Sequence, residues 1–395
     1  KDSPYIILGS GDKLIALAHR IASINPLAKR IFEASQYGLF EDIVTLLYVW
    51  SLKWGSHEIY VKLLEIIAKY RDLDQITVVA THPSLANQIG NVKEMVKKKT
   101  GVTVKLVVQV TDDTSQHVWV VRGADLTMVP SRLTRDELSK YALSQGIKFN
   151  CEVSPYPISP LLSNELTQKQ GSRQIAFVKG ENDPINVMIP ISGAGVGLRF
   201  LSSLVLQMDR LSSRFHFFVV AKRSVFSKDF VGLLGQLKQV EMVTGRNDRE
   251  VVDIYEEVYR NNLIHLEITK PSEQAFKCLL PPTKIGGSLL LLTEPVGRQE
   301  LDNMNFLRRH KMLLMCNDRG VINNQELEKS SPRAIKLPRR VDLATKAISY
   351  CLNRNVFEIM SCKDFDYQPE SFMTSEIGAN GVWLFWEKLR MTKIW

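Results

Sequence analysis

Six short stretches of the sequence carry residue types that can do chemistry, most of them directly after an apolar run. Gly9 and Gly11, with Asp12 beside them, stand in "GSGDKLIALA" directly after Tyr5-Ile6-Ile7-Leu8. A strand, a glycine turn and a helix start in that order present backbone N–H groups to a phosphate; a merely structural tight turn is the alternative. A second such turn, "ISGAGVG", offers Gly193, Gly195 and Gly197 ahead of "LRFLSSLVLQM". Its N–H groups and helix dipole favour a diphosphate, unless the glycines only serve close packing. His82 follows "ITVVA", and Asp112, Asp113 and His117 follow "VTVKLVVQV". Each histidine alone reads as structural, but carboxylates and imidazoles at several strand ends of one domain converge on a single crevice. Finally, Glu273 begins an apolar-periodic helix, and Arg298, Gln299, Glu300 and Asn303 cluster after "SLLLLT". That cluster suits the binding of hydroxyls; its alternative is a solvated helix start with Glu300 as a favourable first-turn charge.

Bulk properties narrow the chemistry. The net charge of +9 and the excess of Lys and Arg favour anionic partners. The basic residues are scattered, as in "KEMVKKK" (93–99), without an aromatic-basic RNA motif or zinc-finger spacing, which argues against nucleic acid. Leu14 stands where a dinucleotide fingerprint needs its third glycine, and no Lys-Ser/Thr pair marks a P-loop, so a nicotinamide dehydrogenase is a weak alternative. The 5 cysteines are widely spaced with no C-x-x-C, which speaks against a disulfide framework and a zinc site and for a reducing, cytoplasmic setting with no metal. No apolar run reaches about 18 residues, and "KDSPYIILGS" lacks the layout of a signal peptide. The expectation is a chain that does not span a membrane but can lie on its inner face.

The elements that must position these residues follow from the pattern. A length of 395 residues implies two domains. Short β-branched runs at 5–8, 76–80, 102–110, 126–130, 185–192, 215–221, 240–244 and 288–293 alternate with helical stretches. Such alternation predicts an α/β fold with parallel sheets covered by helices on both faces. The strand-turn-helix grammar restarts after the Pro-punctuated, then polar stretch 155–173. We therefore expect a Rossmann-like domain over 1–162, a linker over 163–174, a second Rossmann-like domain over 175–375 and a closing helix over 376–395. The two domains are expected to face each other across a cleft, with ligands at the carboxyl ends of their strands. The segment 41–70 reads as a core-packed helix hairpin; an interfacial helix carrying Trp50, Lys53 and Trp54 is the alternative.

These pieces, in this order over nearly the whole chain, resemble a GT-B glycosyltransferase of the group that includes monogalactosyldiacylglycerol synthase and the UDP-N-acetylglucosamine transferase of peptidoglycan lipid synthesis. The resemblance rests on "GSGDKLIALA", "THPSLA", Thr111-Asp112 with His117 and Trp119, "GADLTMVPS", "YALSQGIKFNCEVSPYPISP", "ISGAGVG", "VTGRND", "ITKPSE" and "GRQELDN". It implies inverting transfer from a UDP-sugar co-substrate to a lipid or other membrane-proximal acceptor, without a bound metal or further cofactor. Gly193 to Gly197 would hold the diphosphate, with Gly245, Arg246 and Asn247 near the uracil. Glu273, reached through a shortened Lys270-Pro271-Ser272, would meet the ribose. Arg298, Gln299, Glu300 and Asn303 would lie on sugar and phosphates. Asp12 stands where the family often has a histidine and is the leading base, with Asp112 or His117 as helper or substitute. A non-catalytic member that binds a nucleotide sugar or a protein partner is the rival reading.

Overall fold

The structure, a computed structural model, describes residues 33–70, 73–168, 171–178, 183–191, 195, 197–224, 227–362 and 375–394. The expected strand at 5–8, the turn with Gly9, Gly11 and Asp12, and Gly193 lie outside the described residues. Two compact units divide the chain, Lys1–Pro155 with Leu384–Trp395, and Tyr156–Trp383.

In the first unit, helix α1 (Gly38–Lys69) leads to β1 (Gln75–Ala80), α2 (Pro83–Thr100), β2 (Thr103–Gln109), β3 (Leu126–Val129), α3 (Arg132–Ser144) and β4 (Cys151–Val153). The four strands pair in sequence order and all in parallel. Parallel strands must be covered on both faces, and alternate residues of β2 show how. Val104, Leu106 and Val108 pack with Ile59 and Leu63 of α1 and Ile89, Val92 and Val96 of α2. Val107, with Leu126 and Met128 of β3, packs instead on Phe385, Leu389 and Ile394 from the end of the chain. Those last residues belong to the helix Gly381–Met391 and the turn after it, and the Ile394 carbonyl accepts from Gln75 Nε2 and Thr77 Oγ1, each at 2.9 Å.

The expected hairpin over 41–70 is one continuous helix of 32 residues. Gly55 is not a turn but lies within the helix, facing the Gln88 side chain of α2. Ser56 alongside is buried and accepts from Asn91 Nδ2 at 3.3 Å.

The second unit carries seven strands. They are β5 (Ile185–Pro190), β6 (Phe215–Lys222), β7 (Val240–Gly245), β8 (Leu266–Thr269), β9 (Leu289–Leu292), β10 (Leu313–Met315) and β11 (Ala334–Lys336), in the order β10-β11-β9-β8-β5-β6-β7. Every pairing is parallel. Val187, Ile189, Phe217, Val219, Leu266 and Leu291 face one core, and Met188, Phe218, Val220, Leu290 and Leu292 face another. Helices cover both faces: α4 (Leu198–Leu211) and α5 (Lys228–Leu234) on the first, α6 (Asp248–Asn261) and α7 (Arg298–Arg309) on the second.

Tyr156 stacks on Phe276 with ring centroids 4.4 Å apart, and Ile158 and Leu162 join the second core. Arg173, in the stretch expected as a linker, is buried and donates to the carbonyls of Ile264 (2.6 Å), Lys284 (2.7 Å) and Pro282. Four short strands, β4, β8, β10 and β11, have no counterpart in the sequence reading; each is three or four residues long, too short to show alternation.

Candidate functional site

From β5 the chain of the second unit runs outward through β6 and β7, then resumes at β8 on the opposite side of β5. The carboxyl ends of β5 and β8 therefore form the topological switch point, where open parallel sheets bind ligands. Two loops leave the sheet there. The loop after β5 carries Gly195 (φ +62°) and Gly197 (φ +78°), left-handed conformations that favour glycine. Gly197 is the N-cap of α4 and provides no side chain to satisfy that helix's first N–H groups. Gly297 caps α7, after β9, in the same bare way. Orphan N–H groups at a helix start are ready donors for an anion. Of the expected phosphate loop, the structure thus places Gly195 and Gly197 at the switch point.

The loop after β8 is Lys270-Pro271-Ser272-Glu273. Lys270 Nζ lies 2.9 Å from Glu300 Oε1, and Glu300 Oε2 accepts from the Val296 N–H at 2.8 Å. Asn303 Nδ2 donates to the Pro271 carbonyl at 3.0 Å. Glu300 and Asn303 are buried, while Arg298 pairs along its own helix with Asp302 at 3.3 Å and Gln299 is half-buried. Lys270, Glu300 and Asn303 are thereby brought together. Glu273 is exposed and opens a 3-10 helix, Glu273–Leu279, rather than the expected α-helix.

That short helix is anchored from beneath. Lys277 is fully buried against Glu267 of β8 and the hydroxyls of Tyr255 and Tyr259 of α6, and Tyr259 reaches Ser288 Oγ at 2.8 Å. Burial lowers the affinity of Lys277 for its proton, with Glu267 opposing that shift; burial, then the Glu267 charge, pushes both tyrosines well above their ordinary range. Breaking such a buried pair costs about 3–5 kcal/mol, so the platform under Glu273 is stiff. Nothing in "LEITKPSEQAFK" marks Glu267 or Lys277 as partners, because their pairing needs β8 and the turn to fold together.

At the ends of β6 and β7, Asn247 is the N-cap of α6 and accepts from the Glu250 N–H at 2.9 Å. Arg246 is exposed, with Nε 3.1 Å from Glu250 Oε2. Both lie on the carboxyl edge of the sheet, two strands from the switch point.

In the first unit, His82 is the N-cap of α2, with Nδ1 accepting from the Ser84 N–H at 3.3 Å. Asp112 is buried and accepts from Thr111 Oγ1 at 3.2 Å. Asp113, also buried, accepts from Thr134 Oγ1 at 2.9 Å. His117 has the most elaborate setting. Its ring stacks on Tyr141, centroids 3.7 Å apart and planes within 6°, and its Nδ1 lies 2.7 Å from Asp42 Oδ1. Its backbone N–H donates to Glu41 Oε1 at 2.9 Å. Burial, and then the charges of Asp42 and Glu41, raise the Tyr141 hydroxyl above its ordinary range and keep it neutral. A carboxylate only accepts, so Nδ1 is the nitrogen that donates to Asp42.

Sequence reasoning missed Glu41 and Asp42. Glu41, in the first turn of its helix, is already accounted for by the helix dipole, which hides a second purpose, and Asp42 beside it is one more polar residue of a helix face.

The same helix exposes apolar side chains. Leu39, Phe40, Ile43, Leu46, Trp50 and Trp54 are all more than half exposed, and they form a stripe opposite the buried Leu52, Ile59 and Leu63. Among the described residues no helix is long and apolar enough to cross a membrane, and no group of three or more His, Cys, Asp or Glu is placed to hold a metal ion.

No protein-family model matches the sequence, and no curated protein does. Solved structures do resemble it. UDP-GlcNAc 2-epimerase from Neisseria meningitidis, bound to UDP-GlcNAc, is 10% identical, with 86% of this chain and 82% of that chain covered and a TM-score of 0.50. An Anabaena protein in complex with UDP and glucose is 10% identical over 96% of each chain, with a TM-score of 0.42. A glycosyltransferase from Rickettsia africae is 12% identical over 87% of this chain and 81% of that one, with a TM-score of 0.41. At such identities likeness speaks of fold alone, and the Neisseria match, together with the two parallel-sheet units, gives this chain the two-domain Rossmann-like fold of GT-B type.

Proposed function

We propose that the chain is an inverting glycosyltransferase that takes a hexose from a UDP-sugar held by its second unit and passes it to a lipid acceptor hydroxyl at an anionic membrane surface. The observation that carries the donor half is the switch point of the second sheet. There the glycine loop before α4 and Lys270 after β8 offer N–H donors and a cation side by side. A diphosphate is the anion such a set suits. A solved structure of the same fold holds UDP-GlcNAc.

The acceptor half rests on His117. With Nδ1–H fixed on Asp42, Nε2 takes the proton of the acceptor hydroxyl as its oxygen bonds to the anomeric carbon. The bond from that carbon to the β-phosphate oxygen breaks, and UDP leaves with the electron pair. Its growing charge is met by the N–H groups of the glycine loop and by Lys270 and Arg298. Displacement in one step inverts the anomeric centre. Asp12, expected as the base, lies outside the described residues; the pairing with Asp42 supports His117 in that role. The lipid acceptor is supported by α1, which supplies Asp42 to His117 and exposes its apolar stripe on the same turns.

The test is turnover. The full chain is incubated with UDP-glucose, UDP-galactose and UDP-GlcNAc in turn, with diacylglycerol and polyprenyl lipids in anionic vesicles. Products are read by mass and anomeric NMR. The expected result is a glycolipid of inverted configuration. Release of a 2-epimer without transfer would replace the reading with an epimerase, and UDP binding without any product would leave a non-catalytic binder.

A further inference from the structure

We propose that Glu300 is an internal counter-anion which competes with the donor diphosphate for Lys270 and the Val296 N–H, and that donor binding displaces it. The inference rests on the donor-site reading above and gives Glu300 a different role from the sugar and phosphate contact expected of it.

The two oxygens of Glu300 are both engaged, one by the Lys270 ammonium at 2.9 Å and the other by the Val296 N–H at 2.8 Å. An ammonium and a backbone N–H held by one anionic group are the contacts a pair of phosphate oxygens would make. Their placement matters as much as their identity. Lys270 directly follows β8 at the switch point, and Val296 directly precedes Gly297, the bare cap of α7. One helical turn from Glu300, Asn303 ties the same two loops through the Pro271 carbonyl.

Burial separates the partners. The Glu300 side chain is 9% exposed and the Lys270 side chain 27%, so the lysine can turn toward a ligand while the carboxylate stays beneath. A buried carboxylate next to a bound diphosphate is a like charge in poor solvent, and it opposes the ligand. In return it holds Lys270 in place, so the donor orders one flexible side chain fewer on arrival. After transfer it favours departure of UDP, which bears more charge than the sugar-linked donor. Glu300 is a positioning residue in this scheme and touches no reacting atom.

The test titrates UDP, uridine and UDP-sugar into the full chain by calorimetry, with thermal unfolding recorded for each variant. Glu300→Gln removes the charge and keeps an acceptor for the Val296 N–H. It should tighten UDP roughly three- to tenfold and leave uridine unchanged. Lys270→Gln, which opens the ion pair from the other side, should weaken UDP by about tenfold or more and again leave uridine unchanged. If Glu300→Gln weakens UDP-sugar alone, Glu300 is a sugar ligand and the proposal is wrong. Unchanged UDP affinity in either variant overturns it as well. Absence of UDP binding by the wild type removes the donor-site reading itself, and this proposal with it.

Discussion

A carboxylate that accepts from one ring nitrogen orients an imidazole, and Asp42 Oδ1 lies 2.7 Å from His117 Nδ1 while Tyr141 stacks on the ring at 3.7 Å; the proposed reaction makes this histidine its base. His117→Ala should lower the transfer kcat by about 10²–10⁴-fold, the usual range for a lost general base. Asp42→Asn, which can hold the wrong tautomer, should lower kcat by roughly tenfold or more while leaving the donor KM unchanged. Both are read from initial rates at several pH values, and a donor KM that rises in step with lost kcat would contradict the assignment. His117 itself was visible in the sequence as an imidazole after a strong strand. Asp42, 75 positions earlier, was not, because pairing over that distance is fixed by the docking of α1 and leaves no local spacing. His82 and Asn247, singled out as candidate ligands, are also engaged as helix caps, a role the sequence alone did not reveal.

At the scale of elements, α1 is apolar on two opposite faces. The face with Ile59, Leu63 and Ile67 is consumed by the first unit's core, while Leu39, Ile43, Leu46, Trp50 and Trp54 remain outward. A helix apolar all round is normally buried, and aromatic residues on an outward face suit a lipid interface. Replacing Leu46, Trp50 and Trp54 together with Ser should release the protein from anionic vesicles in a flotation assay and leave its unfolding midpoint within a few degrees. Unchanged vesicle binding would remove the membrane from the account. The segment 41–70 was expected to be helical, but as a hairpin rather than one continuous helix. Gly55 and Ser56, which weaken a helix in isolation, here face α2, and Ser56 accepts from Asn91. The longer strands were legible from their β-branched runs. β8, β10 and β11 were not, since strands of three or four residues gain their definition from neighbours already paired.

The whole molecule is two parallel-sheet units, and the order of the second sheet decides where a ligand belongs. Only the fold, not the sequence, shows that β5 lies between β8 and β6, and hence that the glycine loop and Lys270 leave the sheet at one switch point. The α/β class and the restart of strand-turn-helix grammar were readable from alternation alone. The chemistry assigned to the edge of that sheet is most directly tested by the structure of the protein with UDP bound. The account predicts the diphosphate on the N–H groups of Gly195 and Gly197 with Lys270 Nζ turned to it from Glu300. UDP bound in the first unit, or in the second unit away from the carboxyl ends of β5 and β8, would contradict it.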